Sequence, residues 1–205
     1  MSPTKKKSVS KESIVKSLNK KIEKDNKAFD ALSPSEKRVA IARDVLAQLA
    51  SKRFTAKFGV WFGKKNNSNL FSDRAIEKDL EVKDVISEIK QCDGCAIGGM
   101  FMCAVDRADK LKISELTYHN NEISEKDSFD YLRRFFSADQ LNLIESVFER
   151  NEGAKFSDGA ENFAPGLDSA SERMRLIMEN IIVNKGTFKL NKLPVAVYTT
   201  PGFTG

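Results

Sequence analysis

Cys92-Asp-Gly-Cys95 is the first stretch of this sequence whose side-chain types and spacing could do chemistry. Two thiols so spaced suit a redox pair, provided one becomes a low-pKa thiolate at a helix N-terminus, where the dipole favours negative charge. The flanks, Gln91, Asp93 and Gly94, offer neither cation nor aromatic partner, and the Asp93 charge opposes a thiolate. Zinc is the other option, and its four ligands would have to be Cys92, Cys95, Cys103 and His119, the sole histidine. If 93–105 is one helix, Cys95 and Cys103 lie about 12 Å apart along its axis, too far for one ion with bonds of about 2.3 Å. The thiols therefore read as small core-filling groups, and no metal is expected.

Catalysis finds little else to use. With one histidine, any Ser–His–Asp or Cys–His arrangement depends on His119, and no nucleophile elbow accompanies it. Phosphate-cradling glycine loops are absent, so no nucleotide cofactor is expected. Asp106, Asp109, Glu115 and Glu122 are scattered, and Glu145 with Glu149 would sit on a solvated helix face. No residue is assigned a catalytic role, and an enzyme is disfavoured.

A binding surface has a better claim. From Arg53 to Phe62, Phe54, Ala56, Phe58, Val60 and Phe62 alternate with Arg53, Thr55, Lys57, Gly59 and Trp61, the period of a strand with one buried face. On the other face Arg53, Lys57 and Trp61 would point one way, with Lys64 and Lys65 just beyond. Cations beside an aromatic plane suit a nucleotide or single-stranded nucleic acid. The plainer alternative packs Trp61 beneath a loop and leaves the cations in water.

The elements that must position these groups are mostly helical. From Cys95 to Val105 no polar side chain occurs, which predicts a central core helix over 93–105, with Gly98 and Gly99 allowing close packing. Eleven residues are too few for a membrane span of about 20. Ser33-Pro-Ser-Glu36 predicts a helix to about Ser51 that buries Ile41, Ala42, Val45, Leu46 and Leu49. Further helical periods cover 80–91, 125–136 and 138–150, and one from Ser169 to Asn184; capping boxes are expected at Ser137-x-x-Gln140 and Ser169-x-x-Glu172. Residues 187–190 could pair with the 54–62 strand, and 195–199 could add another. The expected fold is α+β and mainly α-helical: six to seven helices around the 93–105 helix, with a two- to three-stranded antiparallel sheet.

Charge divides the chain at about residue 32. Residues 1–32 hold nine lysines against four acidic residues, a net +5, while the other 25 basic and 25 acidic residues cancel. Residues 1–32 are expected to form a lysine-rich arm, a disordered start followed by an amphipathic helix, and 33–205 a single globular domain. Within the arm Val15, Leu18, Ile22 and Phe29 form an apolar stripe that could pack on the domain or dock a partner. A leader-like apolar stretch does not open the sequence, and three cysteines suit a reducing compartment, so a cytoplasmic protein without a membrane span is expected.

Three blocks together carry a resemblance. Ser35-Glu-Lys-Arg-Val-Ala-Ile-Ala-Arg-Asp-Val-Leu-Ala-Gln-Leu49, Cys92-Asp-Gly-Cys-Ala-Ile-Gly-Gly-Met-Phe101 and Arg173-Met-Arg-Leu-Ile-Met-Glu-Asn-Ile-Ile-Val-Asn-Lys-Gly-Thr-Phe188 resemble a group of small bacteriophage proteins of no assigned activity, across roughly 33–190. The resemblance implies a viral gene product in a host bacterial cytoplasm and carries no functional residue with it. The leading expectation is a non-catalytic accessory protein that binds a host component, of a host-takeover or anti-defence type. The alternative is a nucleic-acid or nucleotide binder using the arm with Arg53, Lys57 and Trp61; a thiol redox or zinc protein comes third.

Overall fold

Ser33 opens the first long helix as its neighbours require. In the computed structural model, which describes residues 28–64, 73–108, 110–119, 122–149, 163–164 and 167–190, the Ser33 hydroxyl accepts from the Glu36 amide. The Glu36 carboxylate in turn accepts from the Ser33 amide at 2.9 Å. Helix α1 (Pro34–Ala50) follows and buries Ile41, Ala42 and Val45.

Two strands replace the single long one expected at 53–62. Strand β1 (Phe54–Ala56) ends in a turn, and β2 (Phe62–Lys64) begins beyond it. Gly59 sits in that turn with φ +66°, a conformation side chains resist. Alternation in the sequence therefore spans a reversal of the chain, which period alone cannot reveal.

Helices α2 (Asp73–Glu77) and α3 (Val82–Glu88) lead into β3 (Cys92–Gly94). This strand corrects two expectations. The helix foreseen from 93 begins at Ala96 instead, as α4 (Ala96–Ala108). The sheet is also mixed rather than antiparallel: β3 pairs parallel with β1 and antiparallel with β2. The chain reverses twice between β1 and β3, at the Gly59 turn and again through α2 and α3, which join β2 to its antiparallel neighbour β3, so β1 and β3 run parallel. A 3-10 turn (Ile113–Glu115) precedes β4 (Tyr118–His119) and β5 (Glu122–Ile123), a two-residue pair at the sheet edge, giving the order β1-β3-β2-β5-β4.

Every residue from Cys95 to Val105 is buried, and α4 touches α1, α3, β1 and β3 as well as the two helices that come next. Those are α5 (Glu125–Leu132) and α6 (Ala138–Glu149). Close approach explains the glycines: a Cβ on Gly98 would stand 1.7 Å from the Trp61 carbonyl oxygen, and one on Gly99 3.0 Å from the Phe54 ring. The pair thus serves packing between α4 and the strands, with no space for a ligand.

Helix α7 (Ala170–Val183) lies along α1. After it, residues 187–190 are not a strand. Their backbone groups are taken by side-chain amides: Gln140 bonds Phe188 and Asn180 bonds Lys189, each in both directions. Gln140 is consequently unavailable to complete the box expected at Ser137, whose hydroxyl caps the Gln140 amide alone. Residues 195–199 lie outside the described residues.

Candidate docking groove

Where α1 begins and α7 ends, the two helices are locked together by glycine and arginine. Gly186, φ +89°, follows α7 so closely against α1 that a Cβ there would lie 2.5 Å from the Ser35 carbonyl oxygen. Arg38 fastens the junction, donating from Nε to the Gly186 carbonyl at 2.6 Å and from Nη1 to the Phe135 carbonyl at 3.0 Å. Between α1 and the end of α7 is a groove of about 600 Å³.

Leu32, Val39, Ala40 and Ile182 supply its apolar lining, and Ser33, Ser35, Glu36, Arg43 and Lys185 its polar rim. Glu36 is committed to the Ser33 cap, whose hydrogen bonds hold its carboxyl below the ordinary glutamate value. Arg43 and Lys185 are exposed, with no ion-pair partner among the described residues. Val183, 63% exposed, follows Ile182 at the end of α7. The volume is within the roughly 300–1,000 Å³ of ligand-binding clefts. Chemically the groove can hold an apolar segment on its lining and carboxylates beside Arg43 and Lys185.

The cations and tryptophan expected on one strand face are not brought together. Arg53 turns inward, donating to the Ile86 carbonyl at 2.8 Å and the Ile89 carbonyl at 3.3 Å, and so caps the end of α3. Lys57 is exposed, 3.9 Å from Asp93. Trp61 is half-buried, its ring edge-on to Phe129 at 5.7 Å. Lys64 ends β2, and Lys65 lies outside the described residues. The expected face needed a continuous strand from 53 to 61, and the Gly59 turn divides it.

In the arm, Phe29 is 1% exposed. Its ring packs against Phe135 at 5.9 Å, with the cations of Lys37 and Arg107 within 6 Å of its centre. Phe29 therefore lies within the packed body, while Val15, Leu18 and Ile22 lie outside the described residues.

All three thiols are free and buried. Burial pushes Cys92 and Cys95 up to about 12 and raises Cys103 as well, so none is a thiolate near neutrality. Near Cys103 a slot the size of a single water is lined by Asp44, Gln48, Arg53, Ile86, Met102 and Asp106. Asp44 there forms a two-pronged ion pair with Arg107. His119 is in β4. No group of three or more metal-ligating side chains occurs among the described residues.

Glu145 and Glu149 were expected in solvent, yet both are half-buried on α6. Glu149 accepts from the Gly59 amide at 2.8 Å. Burial, reinforced by the Glu125 and Glu149 charges, pushes the Glu145 carboxyl up to about 7.

Sequence reasoning missed the groove, although a signal existed. Glu36, Val39, Ala40 and Arg43 recur at helical spacing on a face of α1 distinct from Ile41, Ala42 and Val45, with Leu32 just before the helix. Being half polar, this second stripe does not stand out as core. Among the described residues no helix is long and apolar enough to cross a membrane. Comparison with protein-family models, curated proteins and solved structures finds no match for the chain.

Proposed function

We propose that this protein is a non-catalytic binding protein that engages a host bacterial protein in the cytoplasm, and that the α1–α7 groove is its docking surface. The observation carrying the reading is the groove itself: an apolar lining edged by two cations without partners among the described residues, on helices fixed by Arg38 and Gly186. Helix α4 is the hub of this reading, a rigid centre against which α1 is held. The resemblance to small phage proteins supplies the host context and the host-takeover or anti-defence role.

Nucleic acid is the competing partner, resting on the nine lysines of residues 1–32 and on Lys57. It is weakened because Arg53 is bound to backbone carbonyls and Trp61 is packed on Phe129. Thiol chemistry is weaker still with its sulfurs buried and protonated. Tagged purification from the bacterial host, with and without nuclease, separates the first two. A stoichiometric, nuclease-resistant host protein supports docking; co-elution abolished by nuclease shifts the reading to nucleic acid.

A further inference from the structure

We infer that the segment seated in the α1–α7 groove is an acidic amphipathic stretch of the partner protein, about eight residues long; this rests on the docking reading above. Length comes from α1: its lining residues run from Ser35 to Arg43, about 12 Å along the helix, or somewhat over two turns of a helical guest. Its chemistry comes from what the groove leaves unsatisfied.

Apolar Leu32, Val39, Ala40 and Ile182 call for apolar anchors on one face of the guest. Arg43 and Lys185 call for a carboxylate beside those anchors, because the one acid among the lining residues, Glu36, hydrogen-bonded by Ser33 and still charged, offsets only one of the two cations. Positive charge so placed steers an acidic segment towards its site and repels a basic one.

Other occupants fit less well. The chain's own arm would bring net positive charge to Arg43 and Lys185. A second copy meeting this one across a two-fold axis would set the same two cations against each other. A nucleic acid would satisfy the cations but lay phosphates over the apolar lining.

The test places a photo-crosslinking phenylalanine analogue at exposed Val183 in the full chain, irradiates expressing bacteria and sequences the joined peptide. The expected result is a partner segment with acidic residues interspersed among apolar ones at helical spacing. Its yield should fall about tenfold on combining the analogue with Arg43→Glu and Lys185→Glu, and it should fall with rising salt in a lysate of the unreversed protein. A neutral or basic joined segment, or a yield indifferent to both charge reversal and salt, overturns the acidic guest and leaves docking standing. Joining only to this chain's own arm, to a second copy or to nucleic acid also overturns it. No joined product at all removes the docking reading and this inference together.

Discussion

Gln140 and Phe188 are hydrogen-bonded in both directions: the Gln140 amide donates to the Phe188 carbonyl at 3.2 Å and accepts from the Phe188 N–H at 2.7 Å. One residue on, Asn180 does the same for Lys189, with both contacts at 2.8 Å. Two side-chain amides thus do for residues 188–189 what a neighbouring strand would do. Asn180→Ala, at a fully buried position, leaves backbone groups unsatisfied and should cost about 2–3 kcal/mol in denaturant unfolding. Gln140→Ala should cost about 1 kcal/mol. In both variants amide exchange at 188 and 189 should accelerate more than in α1; equal protection throughout would contradict this role.

Arg173 is 3% exposed, and its guanidinium donates to four backbone carbonyls, those of Val147, Phe163, Ala164 and Leu167. It joins the end of α6 to the segment before α7. Arg173→Met removes the donors and strands those acceptors, so a loss of about 3 kcal/mol or more is expected. Arg173→Lys should not rescue it, since one ammonium cannot span the fork. Thermal unfolding of the two variants checks this.

Gly98→Ala should be among the worst single substitutions in the chain, because its methyl would overlap the Trp61 carbonyl. Overpacking of backbone against backbone is expected to cost about 3 kcal/mol. Since the clash displaces Trp61, its fluorescence should shift in any folded fraction. A variant with unaltered melting and emission would refute the close approach.

Glu145 gives a pH dependence with a definite sign. Its carboxyl is raised from 4.5 to about 7 in the fold, so the folded state holds the proton more tightly than the unfolded one. Stability should therefore fall as pH rises from about 4.5 to about 7, and stay lowered above that. Glu145→Gln should flatten this decline and be the more stable protein at pH 8, by on the order of 1 kcal/mol after allowance for solvent screening. Urea unfolding of both proteins at pH 5 and pH 8 measures it; identical slopes would contradict it.

Cys92 and Cys95, pushed up to about 12 by burial, should react with a thiol reagent at neutral pH only as fast as the chain opens. Full modification in mild denaturant but not in its absence is expected. Rapid reaction of the native protein would revive thiol chemistry.

Residues with strong local chemistry could be read in advance. Ser33 and Glu36 start α1 as their spacing dictates, and the apolar run to Val105 is buried throughout. What stayed hidden depends on partners distant in sequence. Cys92–Gly94 is a strand because β1 and β2 flank it, a fact no window of eleven apolar residues contains. Phe188 lacks a strand partner because Gln140, 48 positions away, takes its backbone groups. The groove was obscured for a related reason: its lining on α1 is half polar, and only the approach of α7 at Gly186 turns that face into a cleft.

Val39 offers the most direct test of docking, since it lines the groove without being part of the packed core. Tagged protein and its Val39→Glu variant would be purified side by side from nuclease-treated host cells, with matched melting curves as the control. A stoichiometric host protein is expected on the unaltered chain, and its loss, by about tenfold or more, from the variant. The same host protein retained in equal amount by Val39→Glu would contradict the claim that the α1–α7 groove is where the partner binds.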